Sequence, residues 1–330
     1  MSEIKKSKYL RLGGRVALSA VILVYLLSKI DFTLLGDGLI RIRYMYLLIS
    51  LVPFFVEIVL KAYKWQMLLE LKDIDVPFLK IFKIYYISSF LGIFLPSSLG
   101  IDLLRSYSLS KHTQNTRDSI STVFVDRLLG IMSLVFVVTV GLLLVKTSYA
   151  SSSLRLVLVA CLILLAMFIF LLLFRYVMRA LESMLIKLNI TGKTVEKTIE
   201  MLHAIYTSIV GFRKHKMDVL KVFLVSIVFQ LNRIVITYIL SLSLDIDIEL
   251  GYWLIIVPLV TLISMLPLSI AGLGVREGAF MYFLGQFGVD LATAFLLSFI
   301  AFILGIVVAL PALFLYLKSG LSMEEAPHPP

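Results

Sequence analysis

Two ten-residue segments of the chain combine helix-breaking residues with an arginine, and the second repeats the first. PSSLGIDLLR (96–105) and PLSIAGLGVR (267–276) share a proline, a serine two positions later and an arginine nine positions later, each 171 positions from its counterpart. Proline and glycine interrupt a helix, and the helix that follows presents its N-terminal amides to an anion. Arg105 and Arg276 would add a bidentate fork for phosphate. The pattern predicts an anion site at two helix breaks, and the alternative is a pair of packing kinks. The predicted break residues are Pro96, Ser98, Gly100, Pro267, Ser269, Gly272 and Gly274.

Further charged side chains lie inside strongly apolar segments, where each needs a partner or a cavity. An ionisable residue at membrane depth costs at least about 2.5 to 3.5 kcal/mol. Arg233 is the strongest candidate for a binding residue, because it lies in the middle of an apolar segment and cannot easily reach either surface. Glu57 and Lys61 are four residues apart and are expected to neutralise each other on one helix face. Asp126 and Arg127 lie near the end of an apolar segment, so the arginine could instead extend to the surface. The remaining carboxylates of this kind are Asp102 and Glu277.

The elements that position these residues must be membrane helices. Of the 330 residues, 60% are hydrophobic and only 16% are charged, and the mean hydropathy is +1.00. A soluble domain has roughly 25% charged residues and cannot bury so much apolar surface. Since about 20 apolar residues cross the hydrocarbon core, six full spans are predicted, at Val16–Lys29, Tyr44–Tyr63, Ser119–Val145, Leu154–Phe174, Val219–Leu244 and Leu291–Leu317.

Two more apolar segments, Phe78–Leu109 and Tyr252–Phe287, contain the helix breaks. Each predicts a helical hairpin that enters the membrane and returns, because irregular backbone at that depth must be satisfied by protein or by a water-filled cavity. The two hairpins are expected to enter from opposite sides, which would make them an inverted repeat, a plan typical of transporters. The predicted fold class is an all-α polytopic membrane protein with about six transmembrane helices plus two interrupted re-entrant hairpins.

The basic residues set the predicted orientation. The formal net charge is +10, and in a membrane chain such an excess more often reflects cytoplasmic loops than a nucleic-acid partner. Five basic residues precede the first span, which lacks a small-residue cleavage site and is typical of a signal anchor. Alternating spans then place 21 basic residues on the cytoplasmic side and five on the other. We expect a multi-pass protein of the plasma (inner) membrane with both termini in the cytoplasm and no nucleic-acid partner.

Residues 1–318 are expected to form a single transmembrane domain. Within it, residues 175–218 carry apolar side chains at helical spacing, which predicts an amphipathic connector along the cytoplasmic membrane surface. Specific binding of anionic lipid by this connector is the alternative. Residues 319–330 are polar and proline-rich, which predicts a disordered tail. The sequence leaves the oligomeric state open, and a homo-oligomer is compatible with it.

Patterns for catalysis and for metal or nucleotide binding are absent from the sequence. The single cysteine, Cys161, excludes a disulfide framework and a Cys-rich metal site. There is no Walker A loop, no His-Glu-x-x-His and no Gly-x-Ser-x-Gly. Two Asp-x-Asp sequences, at 73–75 and 245–247, lie in short polar loops with no nucleotide-binding domain around them. We therefore expect no enzymatic activity, no cofactor and no metal.

Four sequence blocks together resemble a known family of membrane proteins. They are PSSLGIDLLRSYSL (96–109), VFVDRLLG (123–130), the Lys64-Trp65 pair and PLSIAGLGVREGAF (267–280). They are similar to the lysylphosphatidylglycerol synthase transmembrane region, the flippase half of bacterial multiple peptide resistance factors. The resemblance covers about residues 10 to 318, without the soluble synthase domain of the bifunctional members. It implies a helical membrane fold and site residues at Asp102, Arg105, Asp126, Arg127, Arg276 and Glu277.

These observations predict a lipid flippase. The resemblance implies a substrate that is a phospholipid, aminoacylated in some members, or a polyprenyl-phosphate glycolipid. The head group would pass through a polar cavity lined by the two breaks, Arg233 and the Asp126-Arg127 pair, while the chains stay in the bilayer. Two alternatives are also compatible with the sequence: an ion-coupled transporter of a small solute, and an accessory subunit or transferase of a lipid or glycan pathway.

Overall fold

The structure is a computed structural model that describes residues 19–93, 99–113, 116–145, 211–266, 269 and 272–319, and these ranges are helical with short turns and no β-strand. A 3-10 turn, Phe212–His215, precedes the seventh helix. The helices are α1 (Ser19–Ser28), α2 (Phe32–Arg41), α3 (Tyr44–Glu70), α4 (Phe78–Ile93), α5 (Leu99–Thr113), α6 (Thr116–Leu144), α7 (Lys216–Ser243), α8 (Leu250–Ser264), α9 (Val275–Gly285), α10 (Leu291–Ala309) and α11 (Pro311–Ser319).

Four helical stretches in the described ranges are long and apolar enough to cross a membrane. They are Tyr44–Glu70, Asp118–Leu144, Lys216–Ser243 and Leu291–Lys318, and they confirm four of the six predicted spans. The α1–α2 pair, bent by 90°, makes a fifth if it is counted as one span. Its sharp turn follows from Asp31, whose carboxylate accepts a hydrogen bond from the Thr33 amide and so starts α2 as a separate helix.

Several sequence predictions fall on residues outside the described ranges. They are the span Leu154–Phe174, most of the connector at 175–218, the tail beyond Ser319, Cys161, and the break residues Pro96, Ser98 and Pro267. The helices on either side of each predicted break are described. α4 ends at Ile93 and α5 begins at Leu99, whereas α8 ends at Ser264 and α9 begins at Val275. At 16, 15, 15 and 11 residues, these four helices are shorter than the roughly 20 residues that a full span needs.

Helices α3 and α7 cross in opposite directions. At the start of α3, the Arg43 amide donates to the carbonyl of Ser243 at the end of α7, with N and O 3.1 Å apart. Beyond the other end of α3, the Lys72 ammonium lies 4.8 Å from the ring centre of Phe212, just before α7 begins. Each helix therefore starts where the other ends.

The order of elements in α3–α6 recurs in α7–α10. α3 and α7 are each followed by an Asp-Ile-Asp turn, and the first aspartate of each turn, Asp73 or Asp245, has the left-handed φ of 54°. The isoleucine that follows, Ile74 or Ile246, is buried in both turns. The contacts between the two sets follow the same correspondence. α4 packs on α10, and its counterpart α8 packs on α6, which is the counterpart of α10. α3 and its counterpart α7 pack on each other. The two sets of four helices thus occupy equivalent positions.

The largest apolar core lies in the second set. It joins buried residues of α7, α8, α9 and α10 around Trp253, whose indole N–H donates to the carbonyl of Ile248 at 3.2 Å. The first set has a smaller core around Trp65, Leu69 and Ile81. These two cores fix the helices that surround the charged residues described next.

Candidate functional site

A cavity of about 430 Å³ lies where α3 and α7 cross, and α8, α9 and α10 close its other sides. Its volume is in the range typical of small-ligand pockets. Ile93 and Ile101, on either side of the first predicted helix break, border it, and so do Ser269 and Gly272 of the second. Its charged lining residues in the described ranges are Glu57, Lys61, Arg233 and Arg276.

The positive charge in this cavity is larger than the negative charge. Lys61 and Glu57 pair as predicted, with Nζ and Oε1 2.7 Å apart. Arg233 lies 5.9 Å from the ring centre of Phe229, and Lys61 lies 5.4 Å from the same ring. Within the described residues Arg233 has no ion pair within 4 Å. Glu57 acts on Arg233 from a longer distance but already pairs with Lys61, so one carboxylate serves two cations. Because an apolar surrounding strengthens electrostatic interactions, an anionic group is the ligand that this position favours.

Arg276 reaches the cavity from the first turn of α9. Its Nε donates to Ser298 Oγ at 3.0 Å and to Glu277 Oε1 at 3.1 Å, and its guanidinium lies 5.1 Å from the ring centre of Phe302. The Ser298 hydroxyl in turn donates to Glu277 Oε1 at 3.1 Å. Three groups from α9 and α10 therefore hold the guanidinium in one orientation at the cavity wall.

Glu277 serves the start of its own helix. Its Oε2 accepts a hydrogen bond from the Gly274 amide at 2.6 Å, which satisfies an amide that the helix leaves unpaired and places a negative charge at the positive end of the helix dipole. The side chain is only 1% exposed and is absent from the lining of the cavity. The structure thus places Glu277 behind Arg276.

The turn into α9 requires glycine. Gly272 and Gly274 have φ angles of 77° and 83°, which side chains with a Cβ rarely adopt. A Cβ on Gly274 would also lie 2.8 Å from Cγ2 of Ile22 in α1. Because Gly274 has no side chain, Ile22 of α1 can pack directly on this turn. Ser269, just before the turn, borders the cavity.

Ser269 carries a polar group without a protein partner in the described residues. The side chain is buried, and its Oγ has no hydrogen bond there. A buried hydroxyl left unpaired costs about 1 to 3 kcal/mol. In a cavity that already carries excess positive charge, this hydroxyl is available to an oxygen of a bound head group.

A second group of charges lies away from the lining of the cavity. The carboxylate of Asp126 on α6 pairs with Lys64 of α3 through Oδ1 at 2.8 Å and with Arg105 of α5 through Oδ2 at 2.8 Å. Arg105 also pairs with Asp102 at 2.9 Å, and Asp102 pairs with Arg127 at 3.2 Å. The five side chains form a continuous network that ties three helices together.

Aromatic rings complete the surroundings of Arg105. Its guanidinium lies 5.2 Å from the ring centre of Trp65 and 5.1 Å from that of Tyr85. With an exposed fraction of 2%, the side chain is held by two carboxylates and by the negative faces of two rings. It does not line the cavity, which distinguishes it from Arg233 and Arg276.

The structure therefore separates the predicted site residues into two sets. Arg233, Arg276, Ser269 and Gly272 border the cavity, with Glu277 and Gly274 behind it. Gly100 lies in α5. Asp102, Arg105, Asp126 and Arg127 form the network, and the structure does not bring them to the described cavity lining.

Sequence reasoning missed several residues of these two sites. Lys61 was assigned only as a partner of Glu57, and Ser298 was not considered. A signal for Lys61 exists, because the Asp-Ile-Asp turns are 172 positions apart and at this offset Lys61 corresponds to Arg233. No such signal identifies Ser298, because the helix-break arginines are 171 positions apart and at that offset it corresponds to Arg127.

Comparison with known proteins identifies a family. Residues 14–312 match the family model described as the lysylphosphatidylglycerol synthase TM region. Neither the search of curated proteins nor the search of solved structures finds a match for this chain. The family match spans all of the helices that form the cavity and the charge network.

Proposed function

The chain belongs to the lysylphosphatidylglycerol synthase transmembrane-region family, and from this premise we propose that it moves a lipid between the two leaflets of the membrane. The proposed substrate is a phospholipid, aminoacylated or not, or a polyprenyl-phosphate glycolipid. The proposed role is transport without chemical conversion of the lipid. The proposed location is the plasma (inner) membrane, with both termini in the cytoplasm.

The observation that carries the proposal is the position of Arg233. It lies in the middle of α7, on a cavity that also contains Arg276 and the Lys61–Glu57 pair. Keeping a guanidinium in such a place costs free energy, which a permanent carboxylate partner would offset. The described residues provide no such ion pair within 4 Å. The carboxylate that acts on Arg233 from farther away, Glu57, is already paired with Lys61, and a phosphate group that enters the cavity would balance the remaining positive charge.

The equivalent packing of the helices in α3–α6 and α7–α10 supports a transport mechanism. Equivalent helices that run antiparallel, as α3 and α7 do, favour an inverted repeat. The short helices on either side of each break favour two re-entrant hairpins. Since the two sets of helices meet at the cavity, a small rocking of one set against the other would open the cavity to one leaflet and then to the other. The acyl or prenyl chains would remain in the bilayer throughout.

The experiment is a flipping assay with purified protein in liposomes. Labelled phosphatidylglycerol, its lysyl ester and a labelled polyprenyl phosphate are each placed in both leaflets, and the label exposed outside is quenched chemically. The protein is expected to make the inner label accessible for at least one of these lipids while an enclosed hydrophilic dye stays inside. An unrelated helical membrane protein, reconstituted at the same density, controls for unspecific disturbance of the bilayer.

Rates equal to those of the control protein for all three lipids would contradict the proposal. Leakage of the hydrophilic dye at the rate of lipid movement would indicate a pore and would also contradict it. Coupled uptake of a small solute by the same liposomes, without lipid movement, would instead favour an ion-coupled transporter.

A further inference from the structure

The arginines of the two helix breaks face different partners at equivalent positions. Arg105 contacts Asp126, which lies on the sixth helix, and Arg276 contacts Ser298, which lies on the tenth. Asp126 and Ser298 are 172 positions apart and the two arginines are 171 positions apart, so the two contacts agree to within one position of the repeat. The same arginine-to-helix contact thus occurs in both halves, with a carboxylate in the first and a hydroxyl in the second.

This difference decides how much of each guanidinium remains available to a lipid head group. Arg105 has two carboxylate partners and is 2% exposed, whereas Arg276 has one carboxylate partner and is 21% exposed. The single carboxylate on Arg276 is itself shared, because one oxygen of Glu277 accepts from the Gly274 amide and the other accepts from Ser298. A second carboxylate at position 298 would recreate the surroundings of Arg105.

We propose that Ser298 is a positioning residue of the lipid site, which fixes Arg276 at the cavity wall without neutralising it. As an acceptor, its Oγ holds the Nε of Arg276, and as a donor it holds the carboxylate oxygen of Glu277. Because a hydroxyl carries no charge, Glu277 is the one carboxylate that offsets the charge of Arg276 among the described residues, and part of the attraction for an anionic head group is retained. Ser298 thereby makes this half of the repeat the one that selects an anionic lipid over a neutral one. The inference rests on the proposed transport of lipid.

The test compares the affinity of the purified protein for two lipids, phosphatidylglycerol and phosphatidylcholine, in nanodiscs of neutral carrier lipid or by native mass spectrometry. Ser298→Asp is expected to weaken binding of phosphatidylglycerol by about tenfold or more, which is the scale of one charge-assisted hydrogen bond. Binding of phosphatidylcholine should change much less. Ser298→Asn, similar in size to the aspartate but neutral, should keep more of the preference for the anionic lipid than Ser298→Asp does.

Ser298→Ala tests whether the hydroxyl positions Arg276, and the smaller alanine side chain fits the space that serine occupies. Ser298→Ala takes away one of the two acceptors of Arg276 Nε and should lower the ratio of phosphatidylglycerol to phosphatidylcholine affinity severalfold, with the midpoint of thermal unfolding close to that of the wild type. Ser226→Ala is the matched control, since Ser226 is also fully buried and bonds only to the carbonyl of Val222 in its own helix. This control should leave the affinity ratio unchanged.

The outcomes separate this inference from the proposed function. A wild-type ratio in Ser298→Ala would overturn the positioning role, even if the wild-type protein flips lipid. If Ser298→Asp and Ser298→Asn lower the ratio of phosphatidylglycerol to phosphatidylcholine affinity equally, the size of the side chain at position 298 matters and its charge does not. That result would overturn the proposal that Ser298 selects an anionic lipid. If both fail to fold, the alanine variant decides alone. Wild-type protein that prefers phosphatidylglycerol but moves no lipid in liposomes would refute the proposed function and leave the role of Ser298 in binding intact.

Discussion

The guanidinium of Arg105 and the carboxylate of Asp126 face each other between α5 and α6, with Nη1 and Oδ2 2.8 Å apart. The other oxygen of the same carboxylate binds the ammonium of Lys64 on α3. One buried aspartate therefore compensates two cations from two other helices. This arrangement attaches α5 to α6 directly and, through the shared carboxylate of Asp126, to α3.

The replacement Asp126→Asn is expected to destabilise the protein strongly. It leaves Lys64 and Arg105 buried with too little negative charge, and breaking a buried pair in this way costs roughly 3 to 5 kcal/mol. The measurement is the thermal unfolding midpoint of the purified protein in detergent. Asp247→Asn, at an exposed position, is the control and should leave the midpoint unchanged. Equal midpoints for the two variants would contradict a structural role of the network.

Replacement of arginine by lysine should have opposite consequences at Arg105 and at Arg233. Lysine keeps the charge but cannot hold two carboxylates with one planar group, so Arg105→Lys should lower the unfolding midpoint. Arg233→Lys should leave the midpoint near that of the wild type and slow lipid flipping by about tenfold or more, because the bidentate contact with phosphate is lost. Unfolding and flipping are measured on the same preparations. Wild-type flipping by Arg233→Lys would remove this residue from the site.

The two Asp-Ile-Asp turns should face opposite sides of the membrane, because α3 and α7 run in opposite directions. In a Cys161→Ser background, cysteines at the exposed and equivalent positions Asp75 and Asp247 can be labelled with a membrane-impermeant maleimide. Asp247→Cys is expected to react in intact cells, and Asp75→Cys only in inverted vesicles. Reaction of both from the same side would refute the inverted arrangement.

The glycine before α9 should not tolerate a side chain. Gly274→Ala combines a φ of 83° with a Cβ only 2.8 Å from Ile22, so we expect a loss of about 1 to 3 kcal/mol of stability. Gly285→Ala is the matched control in the last turn of α9, where a new Cβ meets nothing within 4 Å, and it should be neutral or slightly stabilising. Thermal unfolding of both variants checks the prediction, and an unchanged midpoint for Gly274→Ala would show that the turn adjusts easily.

The sequence predicted the long apolar helices well, because the density of apolar residues alone determines which segments can cross a bilayer. The end of α3 was less accurate. The predicted span stopped at Tyr63 since Lys64 follows it, but the helix continues to Glu70. The reason is tertiary, because Asp126 neutralises Lys64 from another helix and its charge no longer needs the membrane surface.

The division of the charged residues into two sites could not be predicted from the motifs. Arg105 and Arg276 are equivalent within the repeated segments, so sequence reasoning gave them the same role. Their difference depends on one side chain in a later helix, Asp126 for the first and Ser298 for the second. Only the packing of the helices shows which later residue meets which arginine.

The chain contains two tryptophans, and one of them lies beside the buried charge network. Trp65 is fully buried, and its ring centre is 5.2 Å from the guanidinium of Arg105. In a Trp253→Phe protein, all tryptophan fluorescence would therefore come from Trp65. The emission wavelength of an indole depends on the electric field of nearby charges, so this signal would respond directly to any rearrangement of the Arg105 pairs during a transport cycle, without an attached dye.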